Sequence, residues 1–233
     1  MIEIDGSMGE GGGQILRTSV ALSAVTGEDV RVKNIRANRP NPGLAPSHVT
    51  SIEAVARICD GEVDDLYAGS KAIVFRPGQL TGGRFDLDIG TAGSISLILQ
   101  SCLAPAALSK ARTVVRVTGG TDVNWSPPID FMRLVHVPSL GMFGPSCDLE
   151  IPARGFYPEG GGEVVMDISP AGELAPVDRP HGVDAPTRRV PLLPRHSERR
   201  AVRQAQPTAH ARRRQFRVEP EHGQARAFGA RWG

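Results

Sequence analysis

The sequence is poor in the residues that cross-link proteins or anchor them in membranes. Of its 233 residues only three are cysteines, Cys59, Cys102 and Cys147, and no two of them form a CxxC pair. This scarcity argues against a disulfide framework and a structural zinc site, and it indicates a reducing compartment. No apolar run reaches about 18 residues, and the N-terminus lacks a basic segment followed by an apolar core. We therefore expect a cytoplasmic globular protein with no membrane contact.

Several catalytic signatures are absent as well. A P-loop needs GxxxxGK[ST], but the glycine-rich stretch GSMGEGGGQILR at residues 6–17 contains no lysine. The dinucleotide-binding motif GxGxxG also fails there, because Gln14 stands where the last glycine would be. The chain has no GxSxG turn, no cysteine close in sequence to a histidine, and no HxxxH or HExxH pair. The sequence therefore does not indicate a nucleophile triad or a catalytic zinc site.

Lysine is absent from residues 179–233, and the charge of the chain divides at this point. Residues 1–178 carry 14 Lys and Arg against 21 Asp and Glu, a net charge of −7, whereas residues 179–233 carry 13 Arg against 4 acidic residues, a net charge of +9. The second segment follows neither strand nor helix periodicity, so we expect it to be largely irregular. Our main interpretation is out-of-frame translation of GC-rich DNA. A disordered basic arm that binds nucleic acid and an atypical subdomain are the alternatives.

Residues 1–175 alternate between strand and helix patterns, which predicts an α/β fold. The order is β-α-β-α-β-β followed by α-β-α-β-β, which suggests an internal duplication with helices on one face of each sheet. The strands at 71–78 and 84–90 are expected to pair around a turn at 78–83. A repeated glycine cluster, GEGGGQ at 9–14 and PEGGGE at 158–163, fits the duplication weakly. The expected strands are 1–5, 28–37, 71–78, 84–90, 112–120 and the two halves of 147–170, and the expected helices are 14–27, 46–59, 94–108 and 127–144.

The first glycine cluster predicts an anion site that contains an unusual carboxylate. A glycine loop between a strand and a helix leaves backbone N–H groups open toward an anion at the helix N-terminus. Glu10 would repel phosphate there, unless a divalent cation such as Mg²⁺ binds both the carboxylate and the phosphate oxygens. Arg17 lies one or two turns into the predicted helix, within reach of the same anion. The alternative is that Glu10 is a solvated turn residue and Arg17 an exposed helix charge.

Two further segments carry candidate ligand-binding residues. Arg36, Arg39 and His48 surround the rigid turn at 40–43. Arginine offers a bidentate fork to phosphate, and His48, which can take up a proton, lies where a helix N-terminus also attracts anions. Surface arginines on a loop with a capping histidine are the alternative. Gln100 lies in an apolar helix, where a buried amide needs a partner such as the backbone or the edge of a nucleobase.

Six segments of the chain also carry a resemblance to a known family. They are IDGSMGEGGGQILRTSVALSAVTG, NIRANRPNPGLAPSHVTSIEAV, GSKAIVFRPG, IGTAGSISLILQ, GGTDVNWSPPIDF and RGFYPEGGGEV. In this order they resemble the RNA 3′-terminal phosphate cyclases, over about residues 2–175. So many long segments together are far more specific than any single glycine motif.

The resemblance implies a fold and a reaction. The fold would be a large domain of repeated βαβαββ units, like the C-terminal domain of translation initiation factor three, with a smaller domain inserted after the second unit. The reaction would convert an RNA 3′-phosphate to a 2′,3′-cyclic phosphate through a histidine–AMP intermediate. The implied cofactors are ATP and Mg²⁺ or another divalent cation, and the implied partner is an RNA with a 3′-phosphate end.

By motif position, the resemblance also assigns roles to single residues. Glu10 corresponds to the metal-associated carboxylate of the family. Where this chain has Ser47, the family usually has glutamine, which alters local hydrogen bonding. The remaining matched positions are Arg17 and Gln100 for the nucleotide cofactor, and Arg39, His48 and, less closely, Arg36 for the phosphate of the RNA.

The resemblance ends near residues 170–178, where the inserted domain of the family would begin. We therefore divide the chain into 1–178, a portion of the large domain, and 179–233, a tail. The family's third repeat and AMP-accepting histidine lie beyond this point, and no histidine of the tail stands in a matching motif, so we expect a truncated cyclase without its nucleophile. The alternatives are a non-catalytic RNA-binding relative acting in ribosomal RNA processing, and an interaction module with a basic RNA-binding arm.

Overall fold

Two sheets of four strands form the framework of residues 1–170, which the computed structural model describes together with residues 172, 174 and 176. The first sheet and its helices comprise β1 (Ile2–Asp5), α1 (Gly13–Thr26), β2 (Val30–Lys33), α2 (Pro46–Ile58), β3 (Glu62–Asp64) and β4 (Ile73–Arg76). The second comprises β5 (Gly83–Asp88), α3 (Ile95–Ala107), β6 (Thr113–Gly119), α4 (Ile129–Phe131), a π-helical segment (Met132–His136), α5 (Val137–Gly141), β7 (Ser146–Ala153) and β8 (Gly162–Ser169). The predicted α/β fold is confirmed.

The two sheets share one topology. Their strand orders are β1-β2-β4-β3 and β5-β6-β8-β7. In each sheet the first two strands run parallel, and the last two pair antiparallel with their neighbours. Parallel neighbours need a helical crossover, which α1 supplies in the first sheet and α3 in the second. Each half is therefore a βαβαββ unit, and the predicted repetition of such units is confirmed.

One predicted strand pairing is wrong. The segments at 71–78 and 84–90 contain β4 and β5, but these strands belong to different sheets: β4 pairs with β2 and β3, and β5 pairs with β6. The turn at 78–83 connects the two units. The sequence pattern missed β3 because that strand has only three residues, two of them acidic, and so lacks apolar alternation.

The repeated glycine cluster does not reflect the duplication. The cluster at 9–14 lies between β1 and α1, whereas the cluster at 158–163 lies at the connection between β7 and β8. The weak support that the repeat lent to the duplication was therefore wrong. In the second cluster, Gly160 and Gly161 have φ values of 74° and 70°, which glycine adopts without strain.

The helices follow the apolar spacing of the sequence. In α1, Leu16, Val20 and Ala24 recur every four residues and are all buried, which fits a helix with one apolar face. The helix stops at Gly27, whose φ of 75° closes its last turn, as predicted. The helix expected at 127–144 is shorter and contains the π-helical segment. None of the described helices combines the length and apolarity needed to cross a membrane.

Each sheet is buried on one face. Alternate residues of β6 and β8 are buried, as expected when helices cover one side of a sheet. Phe75 lies in the core of the first unit and Val117 in the core of the second. Helix α2 contributes Val55 to the first core and Ile58 to the second, so it joins the two units.

The three cysteines are free, as their scarcity predicted. Burial raises the pKa of the Cys102 thiol to about 12. Burial also raises the pKa of Cys147 to about 12, with a further contribution from the carboxylate of Asp148. Burial raises the pKa of Cys59 as well. Because the thiolate is the reactive form, burial lowers the reactivity of these side chains.

Candidate phosphate-binding site

The glycine loop after β1 is tied to the arginine-containing loop between β2 and α2. The carboxylate of Asp5 accepts hydrogen bonds from the backbone N–H and the hydroxyl of Ser7, at 2.9 and 2.7 Å. Nδ2 of Asn38 donates to the carbonyl oxygen of Ser7 at 3.1 Å. These contacts bring the two loops into one site. Sequence reasoning missed Asn38, which resembles an ordinary loop residue.

Two consecutive glycines make room for three basic side chains. A Cβ placed on Gly13 would lie 2.1 Å from Nε2 of His48 and 2.9 Å from Nη1 of Arg17. A Cβ on Gly12 would lie 3.4 Å from Nη2 of Arg39. No side chain fits at residue 13, so the density of glycine reflects close approach of the backbone to these groups. The structure thus brings Arg17, Arg39 and His48 together at the start of α1.

The N-terminus of α1 has no side-chain cap. Its N-cap residue is Gly12, which offers no oxygen to the N–H groups of the first turn. By contrast, the hydroxyl of Ser94 accepts a hydrogen bond from Leu97 N–H at 3.4 Å at the start of α3. The uncapped N–H groups and the helix dipole of α1 favour an anion beside the three basic side chains.

His48 is a neutral hydrogen-bond donor in this site. It is only 8% exposed, and its Nδ1 accepts a hydrogen bond from Ala45 N–H at 3.0 Å. The proton of the neutral ring therefore lies on Nε2, the atom next to Gly13. Burial, together with repulsion from Arg17 and Arg36, lowers the pKa of His48 to about 4. Burial between arginines therefore favours the neutral ring, so His48 offers a hydrogen bond rather than a charge near neutral pH.

Arg17 is a partly buried cation with no side-chain partner among the described residues. In the part of the chain that the structure describes, its guanidinium forms no hydrogen bond or ion pair, and burial lowers its pKa. Arginine nevertheless stays charged in proteins. The alternative that Arg17 is an exposed helix charge is therefore wrong. A bound anion would supply the missing partner, and the side chain lies beside Gly13 where such an anion fits.

Glu10 and Arg39 form an exposed ion pair. Oε2 of Glu10 lies 3.3 Å from Nη2 of Arg39, and the two side chains are 92% and 40% exposed. Ion pairs this exposed contribute little to stability, on the order of 0–1 kcal/mol. A ligand can therefore separate them at small cost, which frees the guanidinium for phosphate and the carboxylate for a cation.

Arg36 braces the loop that carries Arg39. Its Nη1 donates to the carbonyl oxygen of Gly43 at 2.9 Å, across the turn at 40–43. The backbone of Arg36 has a φ of 54°, a left-handed conformation that non-glycine residues rarely adopt. Burial and the nearby Arg39 lower the pKa of its guanidinium. The geometry therefore gives Arg36 a structural contact in addition to its positive charge beside His48.

Gln100 lies on the surface of α3. The expectation that its amide is buried is wrong, because residue 100 falls on the solvent side of the helix, between buried Leu99 and Ser101. Within residues 1–170 no side-chain hydrogen bond joins Gln100 to the other candidate residues. The start of the same helix does reach the site: a Cβ on Gly93 would lie 3.0 Å from Cβ of Ser47.

Sequence reasoning missed a second polar cluster, formed by the segment that follows β6, including α4 and the π-helical turn, and by the loop that follows β7. Arg154 donates to Asp122 at 3.1 Å and to both carboxylate oxygens of Asp130 at 2.7 and 2.8 Å. Arg133 also donates to Asp130, at 3.1 Å. Trp125 lies in the first of these segments and is fully exposed. Nothing in the sequence spacing indicates that an arginine and an aspartate some 30 residues apart meet here.

Comparison with known proteins identifies relatives of this chain. A family model described as RNA 3′-terminal phosphate cyclase matches residues 8–220. A relative named RNA 3′-terminal phosphate cyclase from Archaeoglobus fulgidus is 55% identical over 171 residues, which cover 73% of this chain and 52% of the relative. One of the same name from Nitrosospira multiformis is 51% identical over 177 residues, or 76% of this chain and 50% of the relative. Another, from Pyrobaculum neutrophilum, is 49% identical over 212 residues, or 88% of this chain and 61% of the relative.

The chain spans about half the length of the first two of these relatives. The family match reaches residue 220, and the P. neutrophilum relative covers 88% of the chain. The match therefore extends past residues 170–178. The six sequence segments that resemble the family had indicated that the resemblance ends there. Residues 179–233, and with them the prediction of an irregular tail, lie outside the described residues.

Proposed function

The chain belongs to the RNA 3′-terminal phosphate cyclase family, and we propose that residues 1–178 form the part of such an enzyme that holds an RNA 3′-phosphate beside ATP. In this proposal the whole enzyme converts the 3′-phosphate to a 2′,3′-cyclic phosphate at the expense of ATP, through a histidine–AMP intermediate. The names of the relatives support the reaction. The arrangement at the start of α1 supports the place of the phosphate.

One observation carries the proposal: three basic side chains converge on Gly12 and Gly13. Arg17 and Arg39 supply positive charge, and Nε2–H of the neutral His48 supplies a directional hydrogen bond. The uncapped N–H groups of α1 add donors from the backbone. A phosphate monoester has enough oxygen atoms to accept from all of these groups. Two polyanions must meet in the reaction, so this concentration of donors serves charge neutralisation.

The proposed roles divide between the nucleotide and the RNA. Arg17 and Gln100 contact ATP, and the exposed amide of Gln100 is free to pair with the edge of a base. Arg39 and His48 contact the RNA phosphate. Arg36 supports them by holding the turn at 40–43 through the carbonyl of Gly43.

Glu10 fits a cation ligand that acts together with the substrate. In residues 1–170, no group of three or more His, Cys, Asp or Glu side chains is placed to hold a metal ion, so the loop offers one carboxylate. Mg²⁺ commonly binds through one or two carboxylates plus substrate phosphates. When bound, Mg²⁺ or another divalent cation would neutralise charge on the phosphate oxygens. Arg39, released from Glu10, would then pair with the phosphate.

We further propose that the chain lacks the nucleophilic histidine of the family. His48 is unsuited to that role, because it is buried and its Nδ1 is bound to Ala45 N–H. Incubation of the full chain with radiolabelled ATP and Mg²⁺ should give no AMP adduct that survives denaturing electrophoresis. A full-length family member treated in parallel serves as the positive control. A stable adduct on this chain would overturn the proposal about the nucleophile and leave the proposed phosphate site unaffected.

A non-catalytic RNA-binding role, in ribosomal RNA processing, is the alternative. Binding an RNA end needs neither the nucleophile nor ATP, and the arginines and backbone N–H groups at the start of α1 would serve it equally well. The two functions differ in their dependence on cofactors. RNA binding that is unchanged by ATP and Mg²⁺, in a chain that binds neither, would support the alternative.

The division at residue 178 and the nature of residues 179–233 are also proposals. The net charge of +9 in that segment suits a basic arm that contacts RNA backbone phosphates. Removal of residues 179–233 should then lower RNA affinity and reduce its salt dependence. The nucleotide sequence after codon 178 tests the out-of-frame interpretation, which requires that another reading frame continue the family pattern.

Equilibrium binding tests the proposed phosphate site itself. Titration of the full chain with a short RNA ending in a 3′-phosphate should show a weakening of about tenfold or more for Arg39→Gln, because charge-assisted hydrogen bonds are lost. Arg57 of α2, which pairs with Glu53 on the surface, offers a matched control as Arg57→Gln. Equal affinities of Arg39→Gln and the wild type would contradict the proposal.

A further inference from the structure

We propose that Trp125, Phe156 and Tyr157 form a stacking surface for the bases that precede the 3′ end of a single-stranded RNA. The three side chains, called here the aromatic surface, lie on the loops that follow β6 and β7. The proposal rests on the proposed function, because it takes the 3′-phosphate of the strand to lie at the start of α1.

The aromatic surface is exposed in a chain that has few aromatic residues. Only 5% of the sequence is Phe, Trp or Tyr. Trp125 is fully exposed, Tyr157 is 79% exposed and Phe156 is 49% exposed, whereas Phe75 lies wholly inside the first core. Flat aromatic side chains left in water next to a substrate site are typical of proteins that stack nucleobases. None of the three side chains is needed by either core.

The backbone of Trp125 is held in an uncommon conformation. Its φ is 63°, which bulky residues rarely adopt. The surrounding loop fixes it, since the hydroxyl of Ser126 donates to the carbonyl of Val123 at 3.0 Å and Ile129 N–H donates to the carbonyl of Thr121 at 3.0 Å. A residue held in a rare conformation by its surroundings suggests that the exposure of its side chain serves a function.

The two loops are fastened to each other. Asp122 and Phe156 are paired through their backbones in a parallel bridge. Arg154 joins the carboxylates of Asp122 and Asp130. The hydroxyl of Thr121 donates to the carbonyl of Gly155 at 3.0 Å. The aromatic surface is therefore arranged before any ligand binds, which lowers the entropic cost of binding.

A continuous series of contacts connects the aromatic surface to the proposed phosphate site. A Cβ on Gly160 would lie 2.9 Å from Cα of Ala92, so the second loop lies against the start of α3. A Cβ on Gly93 would lie 3.0 Å from Cβ of Ser47, so the start of α3 lies against the start of α2. Ser47 immediately precedes His48. A strand held by its 3′-phosphate near His48 thus needs only a few more nucleotides to reach the surface.

The neighbours of the aromatic surface favour a nucleic acid over a protein partner. The other exposed residues of the two loops are polar, proline or glycine: Asn124, Pro128, Pro158, Glu159 and Gly161. Protein interfaces of stable complexes place aromatic anchors in an apolar core, which is missing from these two loops. Bases stack on isolated rings without such a core, and stacking tolerates any base sequence.

Substrate length provides the test. Isothermal titration measures the affinities of three ligands: ATP and 3′-phosphorylated RNAs of one and eight nucleotides. Each ligand is titrated into the full chain and into the double variant Trp125→Ala, Tyr157→Ala. We expect the variant to keep the affinities for ATP and the mononucleotide and to lose about tenfold or more for the longer RNA, the loss expected when base stacking is removed. Tyr67→Ala, a 60% exposed tyrosine in the first unit, is the matched control and should change nothing.

Conservative variants separate stacking from folding. Trp125→Phe should retain most of the affinity for the longer RNA, and Trp125→Leu, equally apolar but without a ring, should lose it. Equal affinity of the double variant and the wild type for the longer RNA would overturn the inference alone. Equal losses for ATP and for both RNAs would also overturn it, because the residues would then belong to the nucleotide site or to the fold. A wild-type chain that binds no 3′-phosphorylated RNA would instead refute the proposed function and the inference with it.

Discussion

Gly13 lies against the imidazole of His48 so closely that a Cβ at residue 13 would stand 2.1 Å from Nε2. The first residue of α1 and the first turn of α2 are thereby fixed to one another. This contact explains why the loop ends in glycine: the backbone and the ring share one small volume. It also places the only polar hydrogen of the neutral ring beside the uncapped end of α1.

Gly13→Ala should displace the His48 ring and weaken both folding and ligand binding. A methyl group forced into a filled site costs about 1–3 kcal/mol, measurable as a lower urea midpoint. Affinity for a 3′-phosphorylated nucleotide should fall as well, because Nε2–H moves from its place. Gly141→Ala, where a Cβ meets nothing within 4 Å, is the control and should lower neither quantity. An unaltered urea midpoint for Gly13→Ala would show that the close contact is absent in solution.

The titration of His48 should make the protein less stable in mild acid. Its pKa is lowered from 6.5 to about 4 in the folded chain, so between these values the unfolded chain binds a proton that the folded chain does not. The free energy of unfolding is therefore highest above pH 6.5 and falls as the pH is lowered. Between pH 7 and pH 5 the titration of His48 lowers it by about 2 kcal/mol.

Urea denaturation at several pH values checks this effect. His48→Asn retains an acceptor for Ala45 N–H but cannot titrate, so it should flatten the dependence of the unfolding free energy on pH between 5 and 7. Identical slopes for His48→Asn and the wild type would rule out a titration centred on His48.

Glu10→Gln should separate phosphate binding from its dependence on a divalent cation. Loss of the carboxylate frees Arg39 from the pair at 3.3 Å, so phosphate affinity without metal should stay the same or rise, by no more than about fivefold. The gain in affinity that Mg²⁺ gives the wild type should disappear. Glu3→Gln removes an exposed pair of the same kind, with Lys33 at 2.9 Å, and should preserve the Mg²⁺ effect. A Mg²⁺ effect retained in Glu10→Gln would place the cation elsewhere.

Arg39→Ala should lower both the affinity for RNA and the salt dependence of that affinity. Each phosphate contact to single-stranded RNA contributes about 0.7 to the slope of log K against log salt concentration, so loss of one contact should reduce the slope by that amount. Fluorescence anisotropy between about 50 and 200 mM salt resolves this change. Arg57→Ala removes an arginine of similar exposure outside the site and should leave the slope intact. A slope unchanged in Arg39→Ala would mean that Arg39 makes no phosphate contact.

Local patterns predicted the helices and the repeated units well. The spacing of Leu16, Val20 and Ala24, followed by Gly27, is enough to place α1, because side chains four residues apart share one face of a helix. The pairing of strands was harder to predict. Strands β4 and β5 are neighbours in the sequence and share a turn typical of hairpins, yet each has a stronger partner within its own unit.

The residue types of the candidate site were also predictable, but their electrostatic states were not. Arginines and a histidine around glycine loops indicate phosphate binding from composition alone. The neutral state of His48 depends on burial between Arg17 and Arg36, which only the packing of α1 on α2 reveals. For the same reason, the apolar sequence of α3 did not show that Gln100 faces solvent. Nor did the sequence of the loop after β6 show that Trp125 is exposed.

Discrimination between RNA ends tests the central claim most directly. Fluorescence anisotropy compares two RNAs of the same sequence, one ending in a 3′-phosphate and the other in a 3′-hydroxyl, on the wild-type chain and on the double variant Arg17→Gln, Arg39→Gln. A site built at the start of α1 predicts that the wild type prefers the 3′-phosphate by about tenfold or more, and that the double variant loses this preference. Equal affinity of the wild type for the two ends would contradict the account.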